Sequence, residues 1–138
     1  MTVLVAYDGS EPAQKAIKRA FDEYGDEEIV LLRVVEFAGG YTGAGIKAVQ
    51  DLLNDERESA AANLREDLSE LVDTTDVDFR TEVAAGAPAR EIVSFAEEHD
   101  IDHIIVGSHG RKGVSRVLLG SVAEQVVRRS PVSVTVVR

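Results

Sequence analysis

Cysteine is absent from the 138-residue chain, and its absence removes several kinds of chemistry. Without thiols there is no disulfide framework, no thiolate zinc site, no iron–sulfur cluster and no cysteine nucleophile. Histidine is scarce as well, with three residues, which leaves few ligands for a metal enzyme. Positive charge is also in short supply: 15 Lys and Arg face 25 Asp and Glu, and the resulting net charge of -10 repels a polyphosphate backbone. The composition therefore argues against a general nucleic-acid-binding protein.

Long apolar runs are missing too. No stretch approaches the roughly 18 apolar residues that are needed to cross a bilayer. Residues 1–5 lack the basic region and long apolar stretch of a secretory leader. We therefore expect no membrane association and a cytoplasmic location. With 44% hydrophobic residues, the chain can bury the core of one globular domain, which we expect to span residues 1–138.

Lysine is rare among the basic residues. Four of the 15 are lysine, and acidic residues crowd the predicted helix surfaces. One interpretation is adaptation to a high-salt cytoplasm, where screening relieves the repulsion among acidic groups. The other is an ordinary acidic surface that favours solubility. The sequence supports both interpretations equally, and neither assigns a function.

What the chain does contain is an alternation of strand-like and helix-like segments. Residues 29–35 are nearly continuous apolar sequence, which is typical of a strand covered on both faces in a parallel sheet. The predicted strands are residues 2–7, 29–35, 78–84, 101–106 and 132–137. The first predicted helix starts after the turn Asp8-Gly9-Ser10 and is stopped by Gly25. The others run over 46–72, from 89 to about 99 and over 121–129, with a glycine-rich loop at 37–45. This order predicts right-handed βαβ units and an α/β fold.

Two polar, glycine-marked turns follow predicted strands. Asp8-Gly9-Ser10 comes after the first strand, and Gly107-Ser108-His109-Gly110 comes after the fourth. In open α/β sheets, ligands bind beyond the carboxyl ends of the strands, at the point where the strand order reverses. If the first and fourth strands are neighbours there, both turns face one crevice.

The start of the last helix has the features of an anion site. Ser121 and Glu124 have the spacing of a capping box, which predicts that the helix begins at Ser121 with Ser121 as its N-cap. The free N–H groups and the positive end of the helix dipole attract an anion there. Glycines at 107, 110 and 120 would allow close backbone approach, and Arg111 and Lys112 add positive charge. These features predict a phosphate site.

The phosphate site matches neither of the common nucleotide motifs. No G-x-x-x-x-G-K-[ST] occurs, and the first strand is not followed by G-x-G-x-x-G. Instead, Gly107-x2-Gly110-x9-Gly120-Ser121 resembles the G-2x-G-9x-G-[S/T] signature of the ATP-binding branch of the universal stress proteins. The resemblance extends along the whole chain, through Ala6-Tyr7-Asp8-Gly9-Ser10, Val34, Gly86-Ala87-Pro88 and Ser130-Pro131-Val132.

The resemblance implies a fold and a set of binding residues. The fold is a single doubly wound domain of the adenine nucleotide alpha hydrolase-like type, with a five-stranded parallel sheet ordered 3-2-1-4-5 and four helices. Backbone around Val34 would meet adenine, Ala6 would wall the base, and Asp8 would lie near ribose and a divalent metal, Mg or Mn. The remaining implied contacts, to ribose and phosphates, are Gly107, Ser108, His109, Gly110, Arg111, Lys112, Gly113, Gly120, Ser121, Val122 and Ala123.

Several of these residues have simpler explanations. Asp8 could cap the first helix or its turn. His109 has a suitable reference pKa for a general base, but no nucleophile or orienting carboxylate is near it in sequence, which favours a histidine that lines the phosphate site. His99 and His103 are interpreted as surface residues. No catalytic residue is predicted.

The function that the resemblance implies is an ATP-binding stress-response or regulatory protein. In this hypothesis the nucleotide acts as a conformational or partner switch, with little or no hydrolysis. The alternatives are a slow ATP-hydrolysing enzyme on the same fold, or a binder of AMP or a cyclic adenine nucleotide. Val132, Val134 and Val136 alternate in residues 132–137 as in an unprotected edge strand, which predicts a homodimer through this strand. The family implies the same dimer.

Overall fold

The computed structural model describes residues 1–35, 46–74, 77–108 and 119–138, with backbone alone at 46–53. The predicted loop at 37–45 therefore lies outside the described residues. The five strands are β1 (Thr2–Tyr7), β2 (Glu28–Val35), β3 (Phe79–Ala85), β4 (His103–Gly107) and β5 (Ser133–Val137). The four helices are α1 (Glu11–Glu23), α2 (Ile46–Leu71), α3 (Pro88–Glu98) and α4 (Ser121–Arg129).

The strands form one parallel sheet in the order β3-β2-β1-β4-β5. This confirms the α/β fold and the strand order that the resemblance implied. β1 lies at the centre, with Ala6 opposite Leu32 of β2 and Val5 opposite Ile105 of β4. The chain moves outward on one side of β1 and then on the other, so the strand order reverses between β1 and β4. The carboxyl ends of these two strands flank the predicted crevice.

Helices cover both faces of the sheet. On the face of α1 and α2, the core contains Val3, Val5, Ile29 and Leu31. On the face of α3 and α4, it contains Leu4, Val30, Leu32 and Ile104. Alternate residues of one strand thus enter different cores, which explains why β1 and β2 are apolar without alternation.

β5 is the last strand of the sheet, and its backbone groups alternate between β4 and the outer edge. The N–H of Ser108 donates to the carbonyl oxygen of Val137 at 2.7 Å, so Val137 faces β4. Because alternate residues of a strand direct their N–H and C=O groups to the same side, Ser133 and Thr135 also face β4. Val134 and Val136 therefore direct their backbone groups to the outer edge.

Two predictions about local structure are wrong. The N-cap of α4 is Gly120, with φ -65° and ψ 160°, and its carbonyl accepts the first helical bond, from Glu124 N–H at 3.0 Å. Ser121 is already helical, so the capping box does not form. His103 is half-buried: its Nε2 lies 2.7 Å from Thr135 Oγ1 and its ring 5.7 Å from that of Tyr24. His99 is exposed, as predicted, and stacks on Phe95.

Several strand boundaries differ from the predicted ones by one or two residues. β4 begins at His103 because Asp102 pairs with Thr2 instead of extending the strand. Thr2 N–H donates to Asp102 Oδ2 at 2.8 Å, and Asp102 N–H donates to Thr2 O at 2.9 Å. None of the helices in the described part of the chain is long and apolar enough to cross a membrane.

Candidate functional site

The carboxyl ends of β1 and β4 meet at the start of α1. Gly107 ends β4, and a Cβ on it would lie 2.8 Å from Pro12 Cβ and 2.9 Å from Ala13 N. Glycine is therefore required at 107 because the first turn of α1 packs directly on it. This contact places the first turn of α1 against the carboxyl end of β4.

The turn after β1 is held by its own side chains. Gly9 has a φ of 83°, in the region that favours glycine. Asp8 Oδ1 accepts from Ser10 N–H at 2.9 Å, and Ser10 Oγ accepts from Ala13 N–H at 3.3 Å. Ser10 is the N-cap of α1, so Asp8 supports the turn without capping the helix. Its second oxygen, Oδ2, accepts no hydrogen bond from any described residue.

Ser108 connects the ends of three elements. It is 6% exposed, its N–H donates to Val137 O at 2.7 Å, and its carbonyl accepts from Gly120 N–H at 2.6 Å. The end of β4, the end of β5 and the start of α4 thus meet at one residue. The predicted site residues His109, Gly110, Arg111, Lys112 and Gly113 lie outside the described residues.

The start of α4 differs from that of α1 in the capping of its first N–H groups. The N–H groups of the first three helical residues, Ser121, Val122 and Ala123, have no partner within an α-helix. Among the described side chains none caps them, whereas Ser10 caps α1. Ser121 is exposed, and Gly120 beside it is buried. An oxyanion at this position would receive backbone hydrogen bonds and the favourable end of the helix dipole.

Ala6 and Val34 lie on the α3 and α4 face near the ends of β1 and β2, and both are half-buried. The ladder between these strands ends with Tyr7 opposite Arg33, one residue before Val34. Val35 O accepts from Gly86 N–H, so Val35 faces β3 and its neighbour Val34 faces β1. The carbonyl of Val34 is therefore directed into the space beyond the end of β1, where a base edge could donate to it.

Metal ligands are sparse in this region. No group of three or more His, Cys, Asp or Glu side chains suited to a metal ion occurs among the described residues. Asp8 offers one carboxylate oxygen that accepts no hydrogen bond within the described part of the chain. That is compatible with Mg²⁺, which is usually bound through one or two carboxylates together with phosphate oxygens of a nucleotide.

Sequence reasoning missed a cavity on the opposite face of the sheet. It has a volume of about 380 Å³ and lies between α2 and the ends of β1 and β2. Tyr7, 4% exposed, donates its hydroxyl to Asp67 Oδ2 at 2.6 Å in its wall. Burial raises the pKa of the Tyr7 phenol above its usual range, and the hydrogen bond to Asp67 raises it further. Arg33 also lines the cavity, and as a charged residue inside an apolar run it was the signal available in the sequence.

Comparison with known proteins gives one consistent family. The model of the universal stress protein family matches residues 1–138. A universal stress protein of Methanocaldococcus jannaschii is 32% identical over 99% of this chain and 81% of its own length. The structure of UspA from Lactobacillus plantarum has a TM-score of 0.84 at 29% identity and covers 100% of this chain and 97% of that one. A universal stress protein solved in complex with cAMP has a TM-score of 0.73 at 28% identity, with coverage of 100% and 97%.

Proposed function

The chain belongs to the universal stress protein family, and from this premise we propose that it binds an adenine nucleotide at the carboxyl ends of β1 and β4. The observation that carries the proposal is the start of α4, which no described side chain caps and which Ser108 joins to the end of β4, where Gly107 packs on the first turn of α1. The first N–H groups of α4 suit phosphate oxygens. A family member of 28% identity that binds cAMP supports the same ligand class.

We further propose that ATP is the ligand. The signature Gly107, Gly110, Gly120 and Ser121 belongs to the pattern of ATP-binding family members that the sequence resembles. The carbonyl of Val34 suits the amino group of adenine and opposes the carbonyl oxygen of guanine at the same ring position. The other predicted contacts, Ala6, Asp8, Ser108 to Gly113, Val122 and Ala123, complete the proposed site. Asp8 would share Mg or Mn with the phosphates.

The role we propose for bound ATP is that of a switch in conformation or partner choice, in the cytoplasm, with little or no hydrolysis. Charge on the nucleotide would alter the backbone bonds at Ser108, which join the start of α4 to β5. AMP or a cyclic nucleotide is the second candidate, and the cAMP-binding relative favours it.

A homodimer through β5 belongs to the same proposal. Val134 and Val136 direct backbone groups that pair with no described strand to the outer edge of β5, and a two-fold antiparallel pairing would satisfy both copies. Val127 on the neighbouring helix α4 is 46% exposed, and a second copy would cover it.

Native mass spectrometry of the purified protein, followed by calorimetric titration with ATP, GTP, AMP and cAMP, tests the ligand. We expect ATP to bind more tightly than GTP, and phosphate release to be slow. Equal affinities for ATP and GTP would remove the case for adenine recognition at Val34. Rapid turnover would favour the enzyme alternative.

A further inference from the structure

The cavity on the α1 and α2 face is separate from the proposed nucleotide site. Residues of β1 and β2 alternate between faces, so Tyr7 and Arg33 line the cavity while Ala6 and Val34 lie on the other side of the sheet. Its volume of about 380 Å³ is within the range of small-molecule sites. A ligand held there would lie on the opposite face of the sheet from Ala6 and Val34, although Gly9, next to Asp8, lines the cavity.

Arg33 supplies positive charge and hydrogen-bond donors to the cavity. Its side chain is half-buried, and it makes one long hydrogen bond, from Nη1 to Tyr7 O at 3.5 Å. It forms no ion pair with any described carboxylate. A guanidinium has five donors in a planar fork that matches a carboxylate. Most of these donors have no partner among the described residues.

Acidic side chains stand along the helix wall of the same cavity. Asp55 and Glu56 line it from α2, and both are exposed and outside any described ion pair. Asp67, further along α2, accepts the hydroxyl of Tyr7. Among the described residues, the lining thus holds one cation on the sheet, Arg33, and three carboxylates on α2, and none of the four is in an ion pair.

This charge arrangement limits the class of ligand. A simple anion would be attracted by Arg33 and repelled by Asp55 and Glu56. A simple cation would be attracted by the two carboxylates and repelled by Arg33. A zwitterion can place its carboxylate at Arg33 and its ammonium group at the carboxylates of α2. Val35, Ala60 and Leu64 supply apolar surface between them.

We propose that this cavity binds a free α-amino acid with an aliphatic side chain. Arg33 holds the carboxylate, Asp55 and Glu56 receive the ammonium group, and the side chain lies against Val35 and Leu64. The cavity is a second ligand site of the chain, independent of the nucleotide.

Calorimetry of the whole chain with leucine and two analogues tests the charge pattern. The analogues are 3-methylbutan-1-amine, which lacks the carboxylate, and 4-methylpentanoate, which lacks the amine. We expect leucine to bind at least roughly tenfold more tightly than either analogue, since each loses one charge-assisted contact. Equal affinity for all three, or no binding of leucine at millimolar concentration, overturns the proposal without any variant.

Variants assign the two ends of the ligand. Arg33→Met should lower the affinity for leucine by at least about tenfold and leave that for 3-methylbutan-1-amine unchanged. Asp55→Asn combined with Glu56→Gln should lower the affinity for leucine and leave that for 4-methylpentanoate unchanged. Arg90→Met, on an exposed position of α3, is the matched control and should change nothing. Equal losses for leucine and the amine in Arg33→Met would show a merely structural role and overturn the assignment.

ATP titrations on the same samples separate this proposal from the nucleotide proposal. Arg33→Met should bind ATP as the wild type does. Absence of ATP binding with intact leucine binding contradicts the nucleotide site alone, and the converse result contradicts the amino-acid site alone.

Discussion

The backbone N–H of Gly120 donates to the carbonyl oxygen of Ser108 across 2.6 Å, so the residue that follows β4 contacts the N-cap of α4. Two glycines of the signature lie at this contact: Gly120 donates the hydrogen bond, and Gly107 precedes the acceptor, Ser108. The contact joins the start of α4 to the end of β4.

Substitution of Ser121 should separate helix stability from anion binding. Ser121→Asp adds a negative charge to the first turn of α4, where the dipole favours it by about 0.3–1 kcal/mol, so unfolding should occur at the same denaturant concentration or higher. The same charge repels phosphate, and ATP affinity should fall by roughly tenfold or more. Ser121→Asn is the uncharged control. Unchanged ATP affinity in Ser121→Asp would mean that phosphate binds elsewhere.

Gly107→Ala should destabilise the protein even without nucleotide. The added Cβ would lie 2.8 Å from Pro12 Cβ and 2.9 Å from Ala13 N, so α1 must shift away from β4. Overpacking of this kind costs about 1–3 kcal/mol, measurable as a lower midpoint of urea unfolding. A nucleotide-free protein with an unaltered midpoint would contradict the packing role of this glycine.

Tyr7→Phe should lower stability by about 1 kcal/mol, because Asp67 loses its donor. The pKa of Tyr7 is raised in the folded state, so its contribution is fully present below the pKa of an unfolded tyrosine and is lost as pH rises through the folded value. The stability difference between wild type and Tyr7→Phe should therefore shrink in strong alkali. Phenolate absorbance should show one of the three tyrosines ionising late. A constant difference across that pH range would disagree with the raised pKa.

The edge of β5 allows the dimer to be tested without unfolding the chain. Val134 directs its N–H to the outer edge, so Val134→Pro removes a donor from the proposed dimer and none from the pairing with β4. We expect a folded monomer by light scattering. Val134→Thr keeps the N–H and should remain dimeric, whereas Thr135→Pro breaks the ladder to β4 and should destabilise the chain itself. A wild-type protein that is monomeric at micromolar concentration contradicts the dimer.

The sequence predicted the elements because the relevant information is local. The apolar run at 29–35 specified a doubly covered strand, and Pro12 and Ser10 marked the start of α1. The order of the strands came from the family resemblance, since periodicity does not say which strands are neighbours.

The errors arose where a local pattern competes with another partner. Ser121 and Glu124 have capping-box spacing, yet Gly120 adopts the extended N-cap conformation, and its carbonyl oxygen accepts the hydrogen bond from Glu124 N–H. His103 became half-buried because Thr135 and Tyr24, 32 and 79 residues away in sequence, meet it in the fold.

The α2-face cavity was beyond sequence reasoning for the same reason. Tyr7 and Asp67 are separated by 60 residues, and nothing in either local pattern predicts their hydrogen bond. Gly107 was predicted to make room for a ligand, and the structure shows that α1 already needs that room.

The bond from Ser108 N–H to Val137 O has a thermodynamic consequence. It joins the residue that accepts from the start of α4 to the strand through which a second copy would pair. If nucleotide changes the geometry at Ser108, it changes the edge of β5 as well, and linkage makes the effect reciprocal. A nucleotide that tightens self-association by some factor must itself be bound more tightly by the dimer in the same proportion. Protein concentration would then act as an effector of nucleotide affinity.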